Sequence, residues 1–235
     1  MTDSTPLQFS PLGDRALTIT LGTTIDERTH KRVRATAQQI AASAIAGITD
    51  IVPAFASVTV HYDPAVIAGD ASDAPYARLT TALSGALAEI HPDDLPAPRV
   101  VEIPVCYGGE FGPDLDDVSK RHSLTADEVV RIHTEGDYLV YMVGFMPGFA
   151  YLGGLSDRIA TPRRSSPRTA VPAGSVGIGG QQTGVYPMES PGGWNLIGRT
   201  PLKIFDIARD EHTLLATGDR VRFVAISASE YGRYL

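Results

Sequence analysis

Glycine and proline are concentrated in one stretch of this chain, and that concentration limits the fold more than any other feature. Between Gly144 and Pro201, 58 residues hold 12 of the 23 glycines and 7 of the 17 prolines. Proline removes backbone donors and glycine favours turns, so long helices are excluded there. From residue 138 onward, strand-like runs at 138–143, 175–178, 184–186, 194–197, 202–205 and 220–226 alternate with Gly/Pro turns. Many short strands with frequent turns predict a closed or nearly closed antiparallel barrel. The same stretch holds five arginines (Arg158, Arg163, Arg164, Arg168, Arg199) against Asp157 and Glu189. It is therefore +3 inside a chain whose overall charge is −7, which points to an anionic ligand or partner.

The first 95 residues read differently. Residues 16–21 alternate apolar and Thr, as a strand does. Residues 26–45 carry Val33, Ala37, Ile40, Ala41 and Ala44 at helical spacing. Strands at 48–52 and 58–62 follow, then a second amphipathic helix over 73–90 with Leu79, Leu83 and Leu87 on one face. The order β-α-β-β-α predicts a small ferredoxin-like α/β layer. The Pro-rich run from His91 to Pro98 reads as a linker. The expected domains are 1–95, the small α/β layer, and 99–235, the barrel. In the latter, residues 100–107 read as a strand, and residues 125–135 as a helix opened by a Thr125–Glu128 capping box.

Several functions are excluded at this stage. An acidic chain with a pI of about 5.3 lacks the basic footprint of a general nucleic-acid binder. The lone Cys106 allows no disulfide framework, and the scattered histidines show no metal-ligand spacing. The three lysines, Lys31, Lys120 and Lys203, follow no phosphate-loop pattern. The start, Met1-Thr2-Asp3-Ser4-Thr5, has neither the basic region nor the apolar run of a secretory signal. The longest apolar stretch, about nine residues from Tyr138, is too short to span a bilayer, so the cytoplasm is the expected compartment.

Four segments carry candidate chemistry. Phe145, Pro147, Gly148 and Phe149 follow a strand in a tight turn whose aromatics can wall a pocket. Arg163 and Arg168 lie in a Pro-bounded loop suited to bidentate recognition of carboxylate or phosphate. Ser175, Gln182 and Thr183 belong to a glycine-rich run that looks like a phosphate loop but lacks the following helix and lysine. Trp194, the only tryptophan, precedes Arg199, which can pair with an anion against an aromatic wall. His133, near the end of the capped helix, is a candidate proton donor, although such a histidine is often simply a core residue.

Read together, these segments resemble a known family. Gly144-Phe145-x-Pro147-Gly148-Phe149-x-Tyr151-Leu152, Pro162-Arg163-Arg164-x-x-Pro167-Arg168, Val171-Pro172-Ala173-Gly174-Ser175-Val176, Gln182-Thr183-Gly184-Val185-Tyr186-Pro187 and Ser190-Pro191-Gly192-Gly193-Trp194-x-Leu196-Ile197-Gly198-Arg199-Thr200-Pro201 occur in that order. Glu102-Ile103-Pro104-Val105-x-Tyr107-Gly108-Gly109 and Gly112-Pro113-Asp114-Leu115 precede them. The pattern resembles the family of 5-oxoprolinase B-type subunits, also labelled allophanate hydrolase subunit 1, Kip-type kinase inhibitor, or carboxyltransferase subdomains C and D. The resemblance is weak at the N-terminal end and specific from Glu102 to Phe205. It implies a cyclophilin-like barrel after a small α/β layer, and a heteromeric, ATP-dependent amidohydrolase acting on 5-oxoproline. The implied partners are the 5-oxoprolinase C-type subunit (the allophanate hydrolase subunit 2 homologue) and the A-type subunit of the LamB/YcsF family. ATP is the implied cofactor, on this chain or shared with a partner, and no metal is expected. His133 and Arg199 are the expected catalytic residues. Phe145, Pro147, Gly148, Phe149, Arg163, Arg168, Ser175, Gln182, Thr183, Tyr186 and Trp194 are expected to bind substrate. Two other readings stay open: allophanate hydrolysis, for which no Ser-Ser-Lys constellation is present, and inhibition of a sensor histidine kinase.

Overall fold

A computed structural model of the chain describes residues 7–68, 74–90 and 92–234. The signal-region residues Met1 to Thr5, the expected helix start Asp73 and the linker residue His91 lie outside them. The chain forms two compact units, Met1–Ala97 and Pro98–Leu235.

The first unit contains β1 (Gln8–Pro11), β2 (Ala16–Thr20), α1 (Glu27–Ser43), β3 (Ile48–Pro53), β4 (Ser57–Tyr62), α2 (Pro64–Ala68) and α3 (Pro75–Ala86). Its antiparallel sheet runs β1-β2-β4-β3. Strand alternation sends Leu17 and Ile19 of β2 and Val58 and Val60 of β4 into the core. The Asp26 carboxylate accepts from the Thr29 amide at 2.8 Å and so starts α1. Val33 and Ile40 of α1 and Leu79 and Leu83 of α3 pack on the sheet. Strand β1 is absent from the sequence reading. Its residues alternate poorly, and it is held chiefly by pairing with β2.

The second unit contains β5 (Val100–Tyr107), α4 (Leu115–His122), α5 (Ala126–Thr134), β6 (Tyr138–Val143), β7 (Ala150–Gly153), β8 (Arg168–Val171), β9 (Ser175–Gly179), β10 (Gln182–Val185), β11 (Ser190–Gly192), β12 (Asn195–Arg199), β13 (Arg220–Ala225) and α6 (Ala228–Tyr231). Seven strands close into a barrel in the order β10-β7-β6-β13-β5-β12-β9. The barrel is not wholly antiparallel, because β13 pairs parallel to β5 along its full length. Residues 202–205, expected as a strand, instead form part of a loop closed by a single bridge from Phe205 to Thr213. Ile204 from that loop is fully buried against the core, so its apolar pattern reflects packing and not pairing. The capping box forms as expected. The Glu128 amide donates to the Thr125 hydroxyl at 3.2 Å, and the Thr125 amide donates to the Glu128 carboxylate at 2.8 Å.

The glycine density has a specific cause. Trp194 lies against the barrel wall so closely that a Cβ on Gly179 would sit 2.5 Å from its ring, and one on Gly184 3.2 Å from it. A side chain at Gly179 would displace the indole. A second apolar cluster therefore forms outside the barrel from Phe149, Val171, Tyr186, Trp194 and Leu196.

Candidate functional site

The thirteen expected site residues do not converge on one pocket. The fold distributes most of them among four clusters, each with its own chemistry.

His133 lies on α5 with no solvent exposure. The Thr183 hydroxyl donates to the Gly177 carbonyl at 3.0 Å, which leaves its oxygen free to accept from His133 Nε2 at 2.9 Å. Nδ1, left without a proton, accepts from the Tyr107 hydroxyl at 2.8 Å. Burial pushes the Tyr107 hydroxyl well above its ordinary value, so it remains a donor. Burial also drives the His133 imidazole down to about 3. The ring is neutral, both nitrogens are engaged, and Phe223 packs on it with centroids 4.5 Å apart. Proton donation near neutral pH needs the imidazolium form and a path to substrate. The ring environment provides neither, and His133 with Thr183 ties α5 to β10 through the barrel interior.

Arg168 and Arg164 meet Asp114, a residue given no role in the sequence reading. Asp114 is 2% exposed. It accepts a fork from Arg168 at 2.7 and 2.8 Å and a single bond from Arg164 at 2.9 Å. Its carboxylate also takes the Leu196 amide at 2.7 Å. Asp114 precedes α4 yet makes no side-chain cap to that helix. An Asp at such a position reads as a cap from sequence. Its real partners are 50 and 54 residues away and become visible only in three dimensions.

The aromatic residues fill space. Phe149, Tyr186 and Trp194 are buried in the outer cluster, with Phe149 edge-on to Tyr186 at 5.3 Å and to Trp194 at 5.5 Å. Arg163 stands over the Trp194 ring at 5.9 Å. Pro147 is exposed and Gly148 is buried at the foot of the same turn. Phe145 is 64% exposed and adopts φ of 67°, a left-handed conformation that is strained for an aromatic residue. The segment from Tyr138 to Leu152, aromatic enough to suggest an interface, is otherwise largely buried; Phe145 is its exposed large apolar residue.

Arg199 and Ser175 form the fourth cluster. They are paired across the β12–β9 ladder, so their side chains share one face. Arg199 has no hydrogen-bond or ion-pair partner among the described residues, and its Nε is sealed from solvent. Ser175 is fully buried, and its Oγ is likewise unpaired. Gln182 opens β10 and is half-buried. The glycine-rich run from Gly174 to Gly184 is a hairpin of β9 and β10. The backbone of β9 pairs with β10 on one side and β12 on the other. Amides committed to two ladders cannot cradle a triphosphate, so this run does not fit ATP. Among the described residues, no group of three or more His, Cys, Asp or Glu is placed to hold a metal, and no helix is long and apolar enough to cross a membrane.

A barrel carrying an aromatic cluster and an arginine-bearing strand on its outer face defines a recognisable class. Residues 7–215 match the family model for the carboxyltransferase domain, subdomain C and D, and the chain belongs to that family. It is 49% identical over 230 residues to the 5-oxoprolinase B-type subunit of Bacillus subtilis (strain 168), covering 97% of this chain and 96% of that protein. It is 57% identical over 129 residues to the 5-oxoprolinase B-type subunit of Escherichia coli O157:H7, covering 55% of this chain and 59% of that protein. Among solved structures, TTHA0988 superposes with a TM-score of 0.79 at 35% identity. That match covers 91% of this chain but 40% of the longer TTHA0988 chain.

Proposed function

We propose that this chain is the B-type subunit of a 5-oxoprolinase complex. The observation that carries the reading is the length-for-length relation to the Bacillus subtilis protein, at 49% identity over 97% and 96% of the two chains. The complex would open the lactam of 5-oxo-L-proline, using one ATP and one water to give L-glutamate, ADP and phosphate. A lactam is an unactivated amide. Phosphorylating its oxygen creates the leaving group that water alone does not, which is why ATP suits this reaction. The proposed partners are the C-type subunit and the A-type subunit of the LamB/YcsF family, with this chain inactive or weakly active alone. ATP belongs to the complex; none of this chain's residues is assigned to it. The cytoplasm, where ATP is available, is the proposed compartment. The exposed, strained Phe145 turn supports a partner contact, since a large apolar side chain is seldom held in a costly conformation facing water.

Co-expression with the genes of the other two subunits tests the reading. The expected result is a single gel-filtration peak whose phosphate release depends on 5-oxo-L-proline and yields glutamate. Separate peaks at micromolar concentration, or ATP cleavage indifferent to 5-oxo-L-proline, would overturn it.

A further inference from the structure

We propose that Arg199 binds the carboxylate of a small monoanionic substrate on the outer wall of the barrel, beside Ser175 on the neighbouring strand. The proposal rests on the reading above, since 5-oxo-L-proline carries one carboxylate, and it names the group that receives it.

The arginines of the Gly/Pro-rich segment are put to different uses. Arg164 and Arg168 are committed to Asp114, and Arg163 lies over Trp194. Arg199 has no hydrogen-bond or ion-pair partner among the described residues. Native proteins leave few buried polar groups unpaired, and each such group needs a reason. Here two of them, Arg199 Nε and Ser175 Oγ, arrive from two different strands at directly opposed positions of one ladder. They make no bond to each other.

The face is the outer one. A Cβ on Gly198 would meet Val105 of the barrel core at 2.6 Å, so Arg199, the next residue, points away from that core. Val176 lies in the core, and Ser175 before it faces the opposite way. The stem of Arg199 is held in place. Gly174 has φ of 78°, and a side chain there would run into the Thr200 carbonyl and crowd Arg199 Cγ at 3.4 Å. Glycine at 174 therefore leaves room for the Arg199 stem.

Chemistry assigns the roles. Nε is sealed, so it cannot face a ligand, and it makes no bond to the Ser175 hydroxyl. The remaining guanidinium nitrogens belong to a half-buried side chain and form the fork that engages a carboxylate bidentately. One guanidinium balances one carboxylate. A triphosphate would bring several charges to this one guanidinium, which favours the carboxylate over ATP.

The test uses the co-expressed complex and the chain alone, with Arg199→Lys and Arg199→Met. Lysine keeps the charge and loses the fork; methionine loses both. In the complex, both Arg199 variants should raise KM for 5-oxo-L-proline at least about tenfold, as expected for a lost charge-assisted hydrogen bond. KM for ATP should not change, and the melting temperature should hold. An unchanged KM for 5-oxo-L-proline, whatever the melting temperature, would overturn the proposal. A rise confined to KM for ATP would overturn it in favour of a phosphate ligand. If the unaltered complex does not turn over 5-oxo-L-proline, the functional reading fails, and the chain alone decides the site. Its Arg199 Nε–H resonance should then shift on titration with 5-oxo-L-proline and not with the uncharged carboxamide. No shift, or an equal shift with both, would overturn the proposal independently.

Discussion

The interior around His133 and the outer wall around Arg199 hold the two residues that the sequence marks as catalytic, yet the fold treats them in opposite ways. His133 is fully buried, neutral and bonded at both ring nitrogens. Arg199 is half-buried and, among the described residues, bonded at none of its nitrogens. Arg199 lies within a family-like motif and His133 between two of them. What separates them in the fold is satisfaction. A polar group with every partner in place is architecture, because moving it breaks bonds the fold needs. One left unpaired has capacity to spare for a ligand. Asp114 belongs with His133 in this division, since its carboxylate holds two arginines and a backbone amide.

The largest expected effect comes from breaking the satisfied side. Asp114→Asn should destabilise the chain by about 3 kcal/mol, because truncating one partner of a buried pair strands the others. The arginines are 34% and 26% exposed, so water offsets part of the loss and keeps the figure at the low end of the buried-pair range. Urea denaturation measures it; a change indistinguishable from zero would dissolve the distinction between the two regions.

A smaller, pH-dependent effect follows from His133. Its pKa is about 3 in the fold and about 6.5 when unfolded. The folded-state value is depressed, so above the unfolded value the group contributes no pH dependence. As pH falls from about 6.5 toward 3, the unfolded chain binds a proton that the fold refuses, and stability drops by at most about 1.4 kcal/mol per pH unit. His133→Asn should flatten that slope and lower stability at pH 7, with activity per folded molecule retained. A tenfold fall in kcat at unchanged stability would restore the proton-donor role expected from the sequence.

The smallest effect should have the opposite sign. Ser175→Ala removes a buried hydroxyl that has no partner, so stability should stay level or rise by up to about 1 kcal/mol. A loss of more than that in thermal unfolding would mean that Oγ is bonded after all.

Much of the fold was legible from residue pattern. The strand at 58–62, the helical spacing over 26–45, the Thr125–Glu128 box and the Gly/Pro turns are local signals, each set by a few consecutive side chains. The site was legible as a set of segments but not as a grouping. Nothing in the spacing shows that Arg168 is committed to Asp114 while Arg199 is not. The run around Gly179 looks like a phosphate loop because glycine serves two purposes, freeing backbone amides and making room; here it makes room for Trp194.

The sequence by itself determined a short-stranded barrel after a small α/β layer, because turn chemistry and periodicity act between near neighbours in the chain. Only the tertiary structure decided that β13 runs parallel to β5, that His133 is sealed between Tyr107 and Thr183, and that Arg199 faces an unpaired Ser175. Those facts depend on strand register and on which distant groups share one desolvated space. Hydrogen-bond satisfaction is a sum over such contacts, and no local pattern contains it.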